Sequence, residues 1–258
     1  MENKEIEWLK KKIGCFSASE IHLLMSKSGK FTEGNKTYLY KIERQRYLNQ
    51  PAPPVYSRNM EIGIANEVYV IAWLRENTDR IIRHCDKDYD EKIFVRTDWG
   101  LGSSPDAYEI ETRSIKDGQG VIVATQERNV ALIETKVVTG EETTNFYFSP
   151  TVPFERKRLR TFEEHREQMA GQLLTHPLID DIKLVKYDPQ NDDDPFDLRP
   201  VLDPSRGIIF EFTRKEFGSY LDEMKERVMF ANQYLDAKKD IERINEEWDA
   251  YLKLKNAK

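Results

Sequence analysis

The chain has 258 residues, 39% hydrophobic and 33% charged, with a formal net charge of −6; that length fits one α/β domain with a substantial core. No apolar run approaches the roughly 18 residues of a membrane span, and Met1-Glu2-Asn3-Lys4-Glu5 lacks a secretory pattern, so a cytoplasmic protein with no membrane partner is expected. The acidic balance argues against coating nucleic acid by bulk charge, although a local phosphate track needs only a few cations.

In chain order, Ser17-Ala18-Ser19-Glu20 reads as a helix start, with Ser17 as cap and Glu20 three residues on. A helix over 36–48 is closed by Gln50-Pro51-Ala52-Pro53-Pro54, and 61–76 is a strongly apolar helix. Residues 92–97 alternate like a strand, and 98–105 form a turn-rich loop. Two β-rich runs, 121–125 and 130–138, flank the polar Gln126-Glu127-Arg128-Asn129. A helix over 162–174 is closed by His176-Pro177. Strands over 182–187 and 207–212 are joined by an acidic loop whose Asp192-Asp193-Asp194 reads as solvated, and Thr213 opens one or two long charged helices. The order predicts an α/β fold with a central mixed sheet flanked by helices. No linker divides it: one domain over 1–258 is expected, with a helical part to about residue 60 and a helical extension over 213–258 packed on the core.

Candidate chemistry centres on Val130-Ala131-Leu132-Ile133-Glu134-Thr135-Lys136-Val137-Val138. An acid two residues before a lysine occurs at seven places in the chain, so the spacing alone says little. This copy lies in a β-branched, apolar strand, where period two puts Glu134 and Lys136 on one face. Opposite charges on a buried face are costly unless they act together, as a structural ion pair or as a site. Upstream, Gly102-Ser103-Ser104-Pro105-Asp106 delivers an acid from a turn. Glu67 sits inside an apolar helical stripe of Gly63, Ile64, Val70, Ile71 and Leu74, facing the core or a cleft at its edge. Cys15 and Cys85 form no thiolate site, and the four histidines show no zinc spacing. The set therefore suits a hard cation: Asp106 and Glu134 would hold Mg²⁺ (Mn²⁺ substituting), with Glu67 binding directly or through water. Lys136 would orient or deprotonate a water, or neutralise charge on a phosphate.

Pro105-Asp106 and Glu134-Thr135-Lys136 together resemble the PD-(D/E)XK nuclease signature. With Ile13-Gly14-Cys15-Phe16-Ser17-Ala18-Ser19-Glu20-Ile21, Gly63-Ile64-Ala65-Asn66-Glu67 and Glu167-Gln168-Met169-Ala170-Gly171-Gln172-Leu173-Leu174 in order, the chain is similar to the phage lambda exonuclease and YqaJ-type viral recombinase nucleases. The resemblance implies a PD-(D/E)XK core and a 5′-to-3′ exonuclease on duplex DNA ends that leaves 3′ overhangs for recombination. It also implies a single-strand annealing partner and a homo-oligomer, a trimer ring in the lambda enzyme. By position, Glu67, Asp106 and Glu134 would be metal ligands, Lys136 the catalytic lysine and Gln168 a support for the site. Lys12 and Ser19 would lie near the terminal 5′-phosphate, with Lys12 where the family pattern has an arginine, which loses bidentate recognition.

Several features admit plainer readings. Ser17 and Ser19 suit helix capping as well as phosphate binding. Gln168 and Gln172 share a polar stripe with Glu164, His165 and Thr175 that suits a solvated face. Arg156-Lys157-Arg158-Leu159-Arg160 suits backbone phosphates or solvent, and Phe146-Tyr147-Phe148 suits strand separation or packing. Competing functions are a PD-(D/E)XK endonuclease or RecB-like nuclease, and a non-catalytic DNA-binding module on a nuclease fold.

Overall fold

The computed structural model describes residues 3–26, 28–53, 57–90, 92–189 and 202–257. The acidic triplet Asp192-Asp193-Asp194 lies outside them. Helix α1 (Asn3–Lys12) leads into a short strand β1 (Phe16–Ser17) and a 3-10 segment, Ala18–Leu23. Helix α2 (Glu33–Leu48) starts at Thr32, whose hydroxyl accepts from the Asn35 amide while the Asn35 side chain accepts from Thr32 N. That reciprocal cap satisfies two orphan donors, and Asn49 in the left-handed region (φ 48°) ends the helix. Helix α3 (Arg58–Asn77) is capped by Ser57.

Strands β2 (Ile81–His84), β3 (Val95–Arg96), β4 (Leu101–Ser103), β5 (Ala107–Lys116) and β6 (Ile122–Val137) follow, then helices α4 (Glu141–Phe148) and α5 (Phe154–Thr175). Strands β7 (Asp181–Tyr187) and β8 (Gly207–Thr213) precede α6 (Arg214–Phe217), α7 (Tyr220–Asp236) and α8 (Ile244–Asn256). The main sheet has the order β2-β5-β6-β7-β8. Only β6 and β7 in it are parallel, and α4 and α5 supply the crossover that a parallel pair requires. A small second sheet, β1-β4-β3, lies beside it.

Alternation along β6 sorts the two faces. Ile133 and Val137 pack with Val70, Ile71, Trp73 and Leu74 of α3. Leu132 joins Met169, Ala170 and Leu173 of α5 together with Ile182, Leu184, Phe210 and Phe212. Glu134 and Lys136 have the parity of Leu132, so the sequence places both on the α5 side.

The structure departs from the sequence reading at several elements. The polar 126–129 stretch does not interrupt β6, because β5 and β6 run on beyond the sheet as a two-stranded ribbon in which 111–128 are all exposed. With solvent on both faces, polarity no longer marks a loop. The alternation over 92–97 yields only the two residues of β3. Helix α5 begins at Phe154, just after Pro153, so the basic cluster 156–160 lies within the helix. Helix α4 buries Tyr147 completely, so the aromatic run packs. No helix of the described residues is long and apolar enough to cross a membrane.

Gly171 determines how closely α5 approaches the segment after β1: a Cβ there would lie 2.8 Å from the Ala18 Cβ and 3.0 Å from its Cα. Gly171→Val should therefore destabilise the protein by about 1–3 kcal/mol through overpacking, read as a lower denaturant midpoint at unchanged slope. A midpoint equal to wild type would mean that the contact relaxes freely.

Candidate active site

Asp106 precedes β5 and is held by backbone on both sides. Its N–H donates to Ile133 O (3.1 Å) on β6, and its carbonyl accepts from Cys85 N (2.8 Å) just after β2. Gly102, in the strand that leads to it, must be a glycine, because a Cβ there would lie 2.3 Å from the Phe94 ring and 2.8 Å from Cys15 Sγ. One carboxylate oxygen of Asp106, Oδ2, accepts from Thr135 N (2.7 Å) and Thr135 Oγ1 (2.8 Å). Thr135, between the two motif residues, thus fixes the aspartate from the opposite side of β6.

Glu134 is buried, at 4% exposure. Its Oε1 accepts from Lys136 Nζ (2.6 Å) and Gln168 Nε2 (2.5 Å), and its Oε2 accepts from Gln172 Nε2. Gln168 and Gln172 are one turn apart on α5, which places both amides over β6. The polar stripe of α5 therefore faces the site at these positions, and the solvated-face reading fails for Gln172, which is 1% exposed.

Glu67 comes from α3 and stands with Oε1 3.1 Å from His84 Nε2. Its field and that of Glu134 reach Asp106: burial first, then these two carboxylates, push the Asp106 carboxyl well above its ordinary pKa, against the smaller pull of Lys136 and the Thr135 amide. For Lys136, burial would lower the pKa, but Glu134, Asp106 and Glu67 outweigh it and the ammonium is held protonated. In this field Lys136 is a cation that can orient a water or neutralise a phosphate. Among the described residues, no three carboxylate, imidazole or thiol groups stand close enough to hold a metal by themselves. The donor chemistry nevertheless fits a hard cation that keeps several waters: the Glu67 and Glu134 carboxylates lie near enough to Asp106 for their fields to act on it.

The residues expected at the DNA end form a separate group. Lys12 Nζ lies 4.0 Å from the centre of the Trp8 ring and Lys92 Nζ 4.4 Å from it. Burial, with Lys92 and Lys41 nearby, lowers the Lys12 pKa against Glu20. Ser17 makes no side-chain cap; its Oγ pairs with Ser19 Oγ at 2.8 Å, and Glu20 pairs with Lys41. The helix-cap reading of Ser17 and Glu20 is thus corrected: only a 3-10 segment follows, and both side chains have other partners. Scaffold joins this group to the carboxylates, through the β1–β4 pairing and the Ala18–Gly171 contact.

A second cation on the Lys136 face was not anticipated. Lys186, opposite Lys136 in the β6–β7 register, is 5% exposed. Its Nζ donates to His165 Nε2 (2.9 Å) and Glu164 Oε2 (3.3 Å), and Tyr147 Oη donates to Glu164 Oε2 (2.9 Å). Alternation could have placed Lys186 on the face of Lys136, but only the strand register makes them neighbours. The roles of His84 and Thr135 were missed for the same reason, since their partners Glu67 and Asp106 are distant in sequence.

No protein-family model and no curated protein matches the sequence. Among solved structures, the alkaline exonuclease LHK-Exo from Laribacter hongkongensis is 19% identical with a TM-score of 0.58, each chain covered over 98% of its length. The same figures hold for LHK-Exo in complex with dAMP. A phage-related exonuclease from Haemophilus somnus 129PT is 16% identical with a TM-score of 0.57, covering 86% of this chain and 94% of that one. These likenesses establish a shared α/β fold with a central mixed sheet flanked by helices.

Burial, then the Lys186 and Lys136 ammoniums, push the His165 pKa down to about 3, with only Glu164 opposing. An unfolded histidine titrates near ~6.5. The unfolded chain therefore binds the extra proton between these values, so this group's share of stability is present above pH ~6.5 and is lost as pH falls, by at most ~1.4 kcal/mol per unit. His165→Gln should flatten the acid limb of a stability–pH curve between pH 4 and 6.5. An unaltered limb would show that His165 is protonated in the fold.

Proposed function

We propose that the chain is a metal-dependent DNA exonuclease that degrades duplex DNA from its ends, in the 5′-to-3′ direction, leaving 3′ single strands for recombination. The observation that carries the reading is the convergence of Asp106, Glu134 and Lys136, from a loop and an adjacent strand, beside Glu67. The fold shared with an alkaline exonuclease and a phage-related exonuclease supports it, as do the five ordered motifs. Polarity, a 3′ overhang product, a single-strand annealing partner and a ring-shaped homo-oligomer rest on the family resemblance.

In this reading Asp106, Glu134 and Glu67 would hold Mg²⁺, directly or through water, with Mn²⁺ able to substitute, and the bound ion would supply Lewis acidity toward water and the phosphate. Thr135 keeps one Asp106 oxygen turned away, leaving Oδ1 for the site. Gln168 and Gln172 fix the plane of the Glu134 carboxylate. Lys136, held protonated, aligns the attacking water and places positive charge beside the scissile phosphate. Lys12, with Ser17 and Ser19 close by in sequence, would receive the terminal 5′-phosphate. A monoester there carries more charge than an internal diester, so such a pocket favours ends.

End-labelled linear duplex with 5′-phosphate or 5′-hydroxyl ends, and closed circular duplex, test this together. Mg²⁺ or Mn²⁺ should support degradation of the linear forms, faster from 5′-phosphate, with release from the 5′ strand, and Ca²⁺ should not. Lys136→Ala should reduce the rate at least ~10²-fold through loss of transition-state stabilisation while the protein still folds, because Gln168 and Gln172 still serve Glu134. Full activity in excess EDTA would remove the metal mechanism. Circular duplex degraded as fast as linear would move the assignment to an endonuclease.

A further inference from the structure

His84 is the last residue of β2 and is 3% exposed. It lies opposite Ala107 in the β2–β5 register, one residue from Asp106. Its ring is held in one orientation and one tautomer. The amides of Asp86 and Lys87 both donate to Nδ1, at 3.0 and 3.2 Å, and the Asp88 carboxylate accepts from the His84 backbone N–H at 2.7 Å. A nitrogen accepting two amide protons carries none of its own, so the ring is neutral with its proton on Nε2. That buried donor has no aligned hydrogen-bond partner, yet Glu67 Oε1 stands 3.1 Å away. A buried N–H without a partner is uncommon in native structures and calls for an explanation.

We propose that His84 is a positioning residue for the metal site: its Nε2–H holds one oxygen of Glu67, so that the other faces the cation shared with Asp106 and Glu134. The inference rests on the metal-site reading above. It extends that reading to the group behind a ligand. Outer partners of this kind orient carboxylate ligands and raise metal affinity. The turn that supplies the two amides also bears the Cys85 N–H bonded to Asp106 O, so one short segment, 84–88, sets both Glu67 and Asp106. A histidine that only packed the turn would need its Nδ1 and nothing at Nε2.

The test is Mn²⁺ binding by the full chain without DNA, followed by electron paramagnetic resonance, with Mg²⁺ dependence of DNA degradation as a second readout. His84→Phe keeps the ring but removes the donor. It should weaken Mn²⁺ about 10–100-fold and raise the Mg²⁺ needed for half-maximal rate, with a smaller change in the rate at saturating Mg²⁺. His84→Gln, which restores an N–H near Nε2, should recover most of the affinity. Unchanged Mn²⁺ affinity in His84→Phe while Glu67→Ala weakens it overturns the role of His84 alone. Unchanged affinity in both Glu67→Ala and Asp106→Ala overturns the metal site beneath it. Should His84→Phe fail to fold, nitrogen-15 spectra of the wild type decide: an Nε2–H tautomer whose signal moves on adding Mg²⁺ supports the proposal, and an Nδ1–H tautomer or an unmoved signal overturns it.

Discussion

Mutual repulsion among Glu67, Asp106 and Glu134 sets the terms for the rest of the site. The three carboxylates arrive from α3, from the loop before β5 and from β6, and the fold leaves them near one another at partial or full burial. Each is met by a different kind of donor. Glu134 takes an ammonium and two amides, Asp106 takes a backbone N–H and a hydroxyl on one oxygen, and Glu67 faces an imidazole. Asp106 resists ionisation first because it is buried, and then because one ammonium among three acids leaves the region negative. A fold that retains such a cluster gains something other than stability from it.

The neighbouring architecture follows from the need to bring distant segments to this point. Residues in the parallel β6–β7 pair align Lys136 with Lys186, and the α4–α5 crossover returns the chain over the same face. Helix α5 then does two things at once. Gln168 and Gln172 reach down to Glu134, and Gly171, between them in the same turn, admits the Ala18 segment at close contact. The segment bearing Ser17 and Ser19 and the Glu134 carboxylate therefore share one helix as their common support, so a shift of α5 would disturb both.

Much of this was legible in the sequence wherever a local pattern reported on burial. The apolar, β-branched flanks of Glu134 placed it on a central strand, and period two put Lys136 on its face. The stripe around Glu67 marked α3, and the strands β7 and β8 followed from their composition. What was not legible depended on register and on long-range capping. Strand β5 carries little of the alternation that marks a half-buried strand, since it is buried throughout Ala107–Ile110 and exposed throughout its remainder. The split assigned to β6 failed because a two-sided ribbon is polar for the same physical reason that a loop is. Ser17 and Glu20 matched a capping pattern, but hydrogen bonds to Ser19 and Lys41 won. Thr135, His84 and Lys186 act through neighbours far away in sequence.

A carboxyl whose pKa is raised in the fold stabilises it when protonated, and that contribution is lost as pH rises through the raised value. At alkaline pH the protein carries the cost of an Asp106 carboxyl that burial and two neighbouring carboxylates disfavour as an anion, a cost that the proposed cation would offset. The direct measurement is the melting temperature of wild type and Asp106→Asn at pH 8, with EDTA and then with excess Mg²⁺. The account predicts that without metal the variant melts above wild type. Mg²⁺ should raise the wild type, by about 2.7 kcal/mol of stability at a hundredfold excess over its dissociation constant, and should raise the variant far less. A wild-type melting temperature indifferent to Mg²⁺, with Asp106→Asn melting lower than wild type in EDTA, would contradict it.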